Sequence, residues 1–137
     1  MNWRAALILA PIAALIAASS GQAQDSAGGI SSVEISAEGR NVYTEVCQAC
    51  HMADARGGGG AGMGIPALAD NPNMADKKLV IGVLVNGRGG MPWFTDMLSA
   101  EQIAAVLTYV RSDFNAYSDP VTAAEVQAAI GSATAEQ

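Results

Sequence analysis

All of the cysteine and histidine of this chain lies within five consecutive positions. The stretch from Glu45 to Asp54 reads EVCQACHMAD, and it holds Cys47, Cys50 and His51. The 137-residue sequence has 2 cysteines and 1 histidine, so neither residue type occurs anywhere else. Thiols and imidazoles are the side chains with which proteins form covalent links and ligate transition metals. Their confinement to one segment indicates that the three act together on one small object, around which the rest of the chain must fold.

The spacing of these residues, Cys-x-x-Cys-His, is the signature for attachment of c-type haem. Each thiol can add to one vinyl group of the porphyrin, and helical spacing places the two sulfur atoms on nearby turns. His51 directly follows Cys50, so its imidazole lies under the iron and supplies one axial ligand. The motif therefore predicts one covalent haem c, with Cys47 and Cys50 as attachment sites and His51 as an iron ligand.

Three other uses of the same residues are weaker alternatives. A thioredoxin-like redox pair needs a strand before its motif and an α/β framework, and the sequence indicates neither. Zinc needs about four ligands, and two thiolates with one imidazole leave such a site short. A disulfide between Cys47 and Cys50 would close a very short loop, so it would remove little chain entropy.

The chain has no second histidine for the other face of the iron, so its 6 methionines are the candidates for a sixth ligand. Met1 belongs to the N-terminal segment, and Met52 follows the histidine too closely to reach the opposite face. Met97 precedes the last core helix, where we expect it to pack. Met63 and Met74 lie in predicted loops and stay among the candidates.

Met91 is the preferred sixth ligand. It lies in Gly89-Gly90-Met91-Pro92, where glycines permit close backbone approach and the proline fixes the chain after it. Thioether ligation leaves no open position for a substrate and raises the reduction potential relative to a second imidazole, so it predicts electron transfer. The alternatives are that Met91 only fills a gap, or that the protein is a haem-based sensor with a displaceable ligand.

Residues 1–23 predict a secretory signal. One positive charge at Arg4 precedes the apolar run from Ala5 to Ala18, and small residues at Gly21 and Ala23 mark a cleavage site. The run is shorter than the roughly 20 residues that span a bilayer. We therefore expect cleavage after Ala23 and a periplasmic location. The formal net charge of −6 argues against nucleic acid, and it suits either a partner with a positively charged docking surface or solubility alone.

Apolar spacing and capping residues predict an all-α protein. We expect a flexible leader over 24–35, one main domain over 36–118 and a C-terminal extension over 119–137. The first expected helix runs from Ala37 to about Cys47 with Ser36 as N-cap. The next two are capped by Asp76 and Ser99 and end at Val85 and at about Phe114. A last short helix runs from Ala123 to about Ile130 with a Thr122–Glu125 capping box.

Together these features resemble class I cytochrome c of the small bacterial single-haem kind, from about Ser36 to Phe114. Gly39 and Tyr43 stand before CQACH at the family's spacing, and Tyr109 occupies the family's aromatic position in the last core helix. The resemblance implies a cytochrome c fold, with three core helices and short helices around one haem. It also implies that the last core helix crosses the first at Gly39, and that the Pro66 carbonyl accepts the Nδ1–H of His51.

The resemblance implies an electron carrier and not an enzyme. Expected partners are redox proteins: a periplasmic dehydrogenase, an oxidase or a bc1-type complex, with any membrane contact peripheral and through them. Residues 117–123 are weakly similar to tails of cytochrome subunits that serve periplasmic dehydrogenases, so a dedicated subunit is the alternative. An extension that only covers the core is preferred to a docking element. Leu68, Val83 and Val106 are expected to exclude water, Trp93 to pack on the haem, and Arg88 either to meet a propionate or to be solvated.

Overall fold

The computed structural model describes residues 32–58 and 64–135, and this part of the chain is all-α, as predicted. The predicted signal over 1–23 and residues 24–31 of the predicted leader lie outside the described residues. Extended pairing within the described ranges is limited to two isolated bridges, Gly58–Ile65 and Arg88–Met91. The helices are α1 (Ser32–Val42), a π-helical turn (Tyr43–Cys47), α2 (Gln48–His51), a 3₁₀ helix (Pro72–Ala75), α3 (Lys77–Asn86), α4 (Ala100–Asp113) and α5 (Ala123–Ala135).

The first helical segment is longer than the sequence predicted at both ends. It begins at Ser32, so the predicted N-cap at Ser36 is wrong, and residues 32–35 of the predicted leader are helical. No glycine or proline lies between Ser32 and Ser36 to end the helix there. At the other end, the π-helical turn continues the segment through Cys47 into α2, so the whole CxxCH motif is helical.

The predicted caps of α3 and α4 are confirmed. The Asp76 side chain accepts a hydrogen bond from the Leu79 N–H, and α3 ends at Gly87 with φ 72°. Ser99 caps the start of α4 and forms a capping box with Gln102, in which each side chain is bonded to the other's backbone N–H. These caps satisfy N–H groups that a helix start otherwise leaves without partners.

The predicted crossing of the first and last core helices at Gly39 is also confirmed. A Cβ atom on Gly39 would lie 2.2 Å from the Ala105 carbonyl oxygen of α4, so only glycine permits this approach. Beside the crossing, the rings of Tyr43, Tyr109 and Phe114 pack together with centroid separations of 5.3 to 5.7 Å. The crossing places the segment that carries the CxxCH motif against the main core helix.

The C-terminal extension packs on this core. α5 runs to Ala135, beyond the predicted end near Ile130, and it contacts α3 and α4. The predicted capping box is present, since Thr122 and Glu125 exchange side-chain to backbone hydrogen bonds. Val121 and Val126 are buried, and the Thr108 hydroxyl of α4 accepts from the Val121 N–H at 2.9 Å. None of the described helices is both long and apolar enough to cross a membrane.

Buried and half-buried cations fix the extension electrostatically. Arg111 of α4 is 1% exposed, and its Nε donates to the Met74 carbonyl at 2.8 Å. Its guanidinium also bonds the Asp119 carbonyl and, at 2.8 Å, the Asp119 carboxylate. Lys77 of α3 lies 3.3 Å from Asp119 and 3.4 Å from Glu125. Both carboxylates therefore hold the start of the extension against the core helices.

Candidate cofactor site

The structure brings the three motif residues to the end of one helical segment. Cys47 closes the π-helical turn and is half-buried, Cys50 is exposed on α2, and His51 is the last residue of α2 and only 6% exposed. Both cysteines are free thiols. π-Helical turns are rare and occur often at functional sites. Cys47 and Cys50 are three positions apart, close to one helical turn, so their side chains are neighbours on the segment that ends at the buried imidazole.

The orientation of His51 is set by the Pro66 carbonyl. Nδ1 of His51 lies 3.2 Å from that oxygen. A carbonyl can only accept, so Nδ1 carries the proton and Nε2 keeps its lone pair. Burial lowers the pKa of His51, and the Pro66 carbonyl offsets part of this shift. A neutral imidazole with a free Nε2 is the form that ligates a metal.

The chain after His51 turns sharply and is held by hydrogen bonds. Met52 ends α2 with φ 65°, a conformation that is costly for a residue with a side chain. The Tyr43 hydroxyl donates to the Met52 carbonyl at 2.7 Å and helps to fix this turn. Burial, with contributions from Cys47, Tyr109 and Asp54, raises the pKa of Tyr43 to about 12. The phenol therefore remains a donor throughout the physiological range.

A glycine allows the segment around Pro66 to approach the helix end. Gly57 has φ 68°, and a Cβ there would lie 2.3 Å from the Ile65 carbonyl oxygen and 2.9 Å from that of Pro66. The Gly57 N–H donates to the His51 carbonyl at 3.1 Å. Glycine at position 57 thus allows the Pro66 backbone to lie next to the imidazole. A larger residue at this position would clash with the Ile65 and Pro66 carbonyls.

The Cys47 side chain is a neutral thiol packed on the core. Burial and the neighbouring Cys50 raise the pKa of the Cys47 thiol to about 11, so it is protonated at neutral pH. Its side chain packs against the hydrophobic core, as do Leu68 and Met91. The attachment motif and the predicted methionine ligand therefore contact the same apolar core from different parts of the chain.

Met91 lies in a closed turn. The backbones of Arg88 and Met91 exchange two hydrogen bonds, of 2.9 and 3.0 Å. A Cβ on Gly87 would lie 2.8 Å from the Met91 carbonyl oxygen, so this glycine lets the turn fold back onto the end of α3. Buried Phe94 anchors the other side, since its N–H donates to the Leu84 carbonyl at 2.8 Å. A cavity of about 290 Å³ is lined by residues 86–93.

The remaining methionines differ in burial. Met74 is buried in the core and lies in the 3₁₀ helix, and Met52 is exposed. Met63 lies outside the described residues. The expectation that Met97 packs is wrong, because its side chain is 61% exposed. The turn before α4 buries Phe94 instead, and the Met97 backbone bonds the Phe94 carbonyl.

The side chains expected around the cofactor range from buried to exposed. Val106 is buried, and Leu68 and Val83 are half-buried. Trp93 is 54% exposed, and its indole N–H donates to Asp96 at 2.9 Å. Arg88 is exposed. Whether Trp93 and Arg88 contact a haem stays a prediction.

The chemistry of these residues fits a haem. Two free thiols and a neutral imidazole with a free Nε2 lie on one helical segment, and a methionine in a glycine-bounded turn packs on the same core. Among residues 32–58 and 64–135, no group of three or more histidine, cysteine or acidic side chains could hold a metal ion by itself. An all-α fold with this motif at the end of its first helical segment defines a c-type cytochrome.

Comparison with known proteins identifies the family. A family model described as "Cytochrome C oxidase, cbb3-type, subunit III" matches residues 35–110, more than half of the chain. The chain belongs to this family of cytochrome c domains. It is a cytochrome c domain of the class I single-haem kind, and it binds one haem c covalently.

Curated relatives share part of the sequence. Cytochrome c6 of Leptolyngbya boryana is 36% identical over 78 residues, which are 54% of this chain and 87% of the relative. The "Alcohol dehydrogenase (quinone), cytochrome c subunit" of Gluconacetobacter polyoxogenes is 33% identical over 105 residues, 66% of this chain and 22% of the relative. The chain thus spans about a fifth of that subunit's length. The crystal structure of cytochrome cL from Hyphomicrobium denitrificans aligns with a TM-score of 0.48 at 20% identity, over 75% of this chain and 70% of that one.

Sequence reasoning missed the residues that support the motif. It did not identify Tyr43 as the donor to the Met52 carbonyl, Gly57 as the close-approach position, or Asn115 as a side chain bonded to the segment after Pro66. Gly57 stands in a glycine-rich stretch, and that run was the only available signal. The tyrosine and the asparagine act on backbone groups, which leave no pattern in the sequence.

Proposed function

We propose that this chain is an exported, periplasmic electron carrier whose haem is attached through Cys47 and Cys50 and whose iron is ligated by His51 and Met91. When bound, the haem supplies a one-electron ferrous–ferric couple. The observation that carries the proposal is the 3.2 Å contact between Nδ1 of His51 and the Pro66 carbonyl. With Nδ1 engaged, Nε2 keeps its lone pair for a metal, on the same helical segment as the two cysteines.

The polypeptide restrains both residues that would ligate the iron. His51 is buried and fixed through Nδ1, and Met91 is held in a turn closed by two backbone hydrogen bonds and flanked by Gly87 and Phe94. Ligands that do not move between oxidation states keep the reorganisation small. This rigidity suits outer-sphere electron transfer and does not require a substrate position.

The core beside the motif favours the less charged oxidation state. Val106 belongs to the buried cluster that Leu68, Cys47 and Met91 contact, and Val83 is half-buried. Apolar surroundings exclude water and disfavour net charge, so they raise the reduction potential. Thioether ligation by Met91 acts in the same direction.

Two features support export. Residues 1–23 have the pattern of a secretory signal with cleavage after Ala23. Haem of the c type is attached outside the cytoplasm, which requires the apoprotein to cross the inner membrane first. A periplasmic location follows from both.

The net charge of −6 favours partners with a basic docking surface. Redox proteins such as a periplasmic dehydrogenase, an oxidase or a bc1-type complex are the proposed partners. The similarity to the cytochrome c subunit of a quinone alcohol dehydrogenase favours a second candidate, a dedicated subunit of a dehydrogenase complex. Co-purification with a dehydrogenase from membranes or periplasm supports the subunit, and isolation as a free monomer supports the mobile carrier.

Replacement of Met91 tests the ligand assignment. Met91→Ala should lose the near-infrared sulfur-to-iron band, lower the reduction potential, and allow the reduced protein to bind carbon monoxide rapidly. Met97→Ala is the matched control, because Met97 is exposed and close in sequence. Retention of the band in Met91→Ala would assign the sixth ligand to another residue. Rapid carbon monoxide binding by the wild type would favour the sensor alternative over the carrier.

A further inference from the structure

Asn115 joins the end of α4 to the segment that follows Pro66. Its side-chain Nδ2 donates to the Leu68 carbonyl at 2.8 Å and to the Val110 carbonyl at 2.9 Å. Its Oδ1 accepts from the Asn71 N–H at 2.8 Å. One half-buried amide thus bonds two points of the same short segment and ties both to the last turn of α4.

The other backbone groups of this segment are also bonded. The N–H groups of Leu68 and Ala69 both donate to the Ala55 carbonyl, at 2.7 and 2.9 Å. The Asp70 N–H donates to the Phe114 carbonyl at 3.1 Å. The segment is therefore fixed on one side by the turn after His51 and on the other by α4. Pro66, two residues before Leu68, has no N–H of its own with which to hold its position.

We propose that Asn115 is a positioning residue for the proximal ligand. By fixing Leu68 and Asn71, it holds the Pro66 carbonyl against Nδ1 of His51, and this contact sets the orientation and basicity of the imidazole. Asn115 acts through backbone groups and does not touch the ligand. The inference deepens the proposed function, because it rests on His51 as the axial ligand.

Only a short amide meets the demands of this position. Two acceptors and one donor surround the side chain of Asn115, so it must both donate and accept. An aspartate has the same shape but no donor when ionised, and it would place a carboxylate oxygen against the carbonyls of Leu68 and Val110. The Leu68 and Val110 carbonyls would then lack a donor at a half-buried site. This loss would loosen the segment after Pro66 and so free the Pro66 carbonyl.

The experiment compares Asn115→Asp with two controls. Asn73→Asp introduces the same charge at an exposed position nearby, and Val126→Ala removes buried volume from α5. The readouts are exchange of the His51 Nδ1 proton with solvent, followed by NMR in the reduced protein, and the reduction potential. We expect exchange in Asn115→Asp to accelerate roughly tenfold or more, the factor that corresponds to loss of about one net hydrogen bond. Its potential should also shift relative to Asn73→Asp.

Asn115→Ser keeps one hydroxyl that donates or accepts, and it replaces Asn115→Asp if that variant does not fold. It should give a smaller acceleration. The Asn115 variants are compared with Val126→Ala at equal loss of unfolding free energy. If the exchange rate rises no more in the Asn115 variants than in Val126→Ala, Asn115 has only a structural role. A potential equal to that of Asn73→Asp would overturn the proposal as well.

The proposed function is tested separately in the wild type. Intact mass reports haem attachment, and the loss of the ligand spectrum in His51→Ala reports ligation. A wild-type mass without haem, or a ligand spectrum that persists in His51→Ala, overturns the proposed function. The exchange comparison tests only the role of Asn115 in the hydrogen bond between His51 and Pro66.

Discussion

Gly39 of α1 lies against Ala105 of α4 with no space for a side chain between them. A Cβ on Gly39 would be 2.2 Å from the Ala105 carbonyl oxygen and 2.8 Å from the Tyr109 Cβ. The Arg40 guanidinium next to it lies 5.4 Å from the centre of the Tyr109 ring, where it adds a cation–π contact. The two helices must cross at this distance for Tyr43 and Tyr109 to pack ring against ring.

Gly39→Ala should destabilise the protein. Alanine gains helix propensity of up to about 1 kcal/mol over glycine, but the new methyl group clashes with backbone that cannot move locally. Overpacking of this kind costs typically about 1–3 kcal/mol, and the steric term should win because the contact is below 3 Å. Urea unfolding measures the difference in free energy.

Gly82→Ala is the control for this comparison. Gly82 lies within α3, and nothing would come within 4 Å of an added Cβ there. The same chemical change should therefore be neutral or stabilising, by at most about 1 kcal/mol. Equal losses of stability in the two variants would contradict the close crossing at Gly39.

Val126→Ala should show that the C-terminal extension is part of the folded core. Val126 of α5 has 0% exposure and packs in the hydrophobic cluster. Removal of its two methyl groups should cost about 2 kcal/mol of unfolding free energy. Gln127→Ala, an exposed change one residue further, should alter stability by less than about 0.5 kcal/mol. If Val126→Ala were as mild as Gln127→Ala, α5 would not be packed as described.

Acid should weaken the attachment of the extension. Hydrogen bonding to Arg111 lowers the pKa of Asp119 below its usual 3.8, and hydrogen bonding to Thr122 lowers the pKa of Glu125 below its usual 4.5. Both groups bind protons more weakly in the folded state. Their stabilisation is complete above those usual values and is lost as the pH falls through the lowered folded values.

The measurement is unfolding free energy against pH, from about pH 6 to about pH 3. Asp119→Asn removes one of the two carboxylates, so its stability should fall less steeply below about pH 4.5 than that of the wild type. Because Asp119 is exposed and Glu125 is partly exposed, added salt should reduce the difference. Identical slopes in the two proteins would show that the Arg111–Asp119 contact does not contribute.

Local signals in the sequence were sufficient for much of the fold. Asp76 and Ser99 cap helices through bonds that span three residues, so each is readable from a short window. The start of α1 could not be read in this way, because Ser36 is a good cap residue but the helix continues through it. Met97 was misjudged because burial at the turn before α4 depends on which of two apolar residues, Phe94 or Met97, faces the core.

In the candidate site, too, some residues could be identified from the sequence and others could not. The roles proposed for Cys47, Cys50 and His51 could be inferred from the sequence because haem attachment needs these residues at adjacent positions. The role of Asn115 could not, since the carbonyl it bonds is 47 residues away and belongs to a backbone that could carry any side chain. The close approach at Gly57 likewise depends on where the Ile65 backbone lies, which only the fold determines.

Covalent attachment of one haem through Cys47 and Cys50 underlies the whole account of this site. The direct measurement is the intact mass of the protein expressed in a host with the machinery that attaches haem c. The expected result is the polypeptide mass plus one haem, lost when both cysteines are replaced by alanine. A colourless wild-type protein with the mass of the polypeptide alone would contradict it.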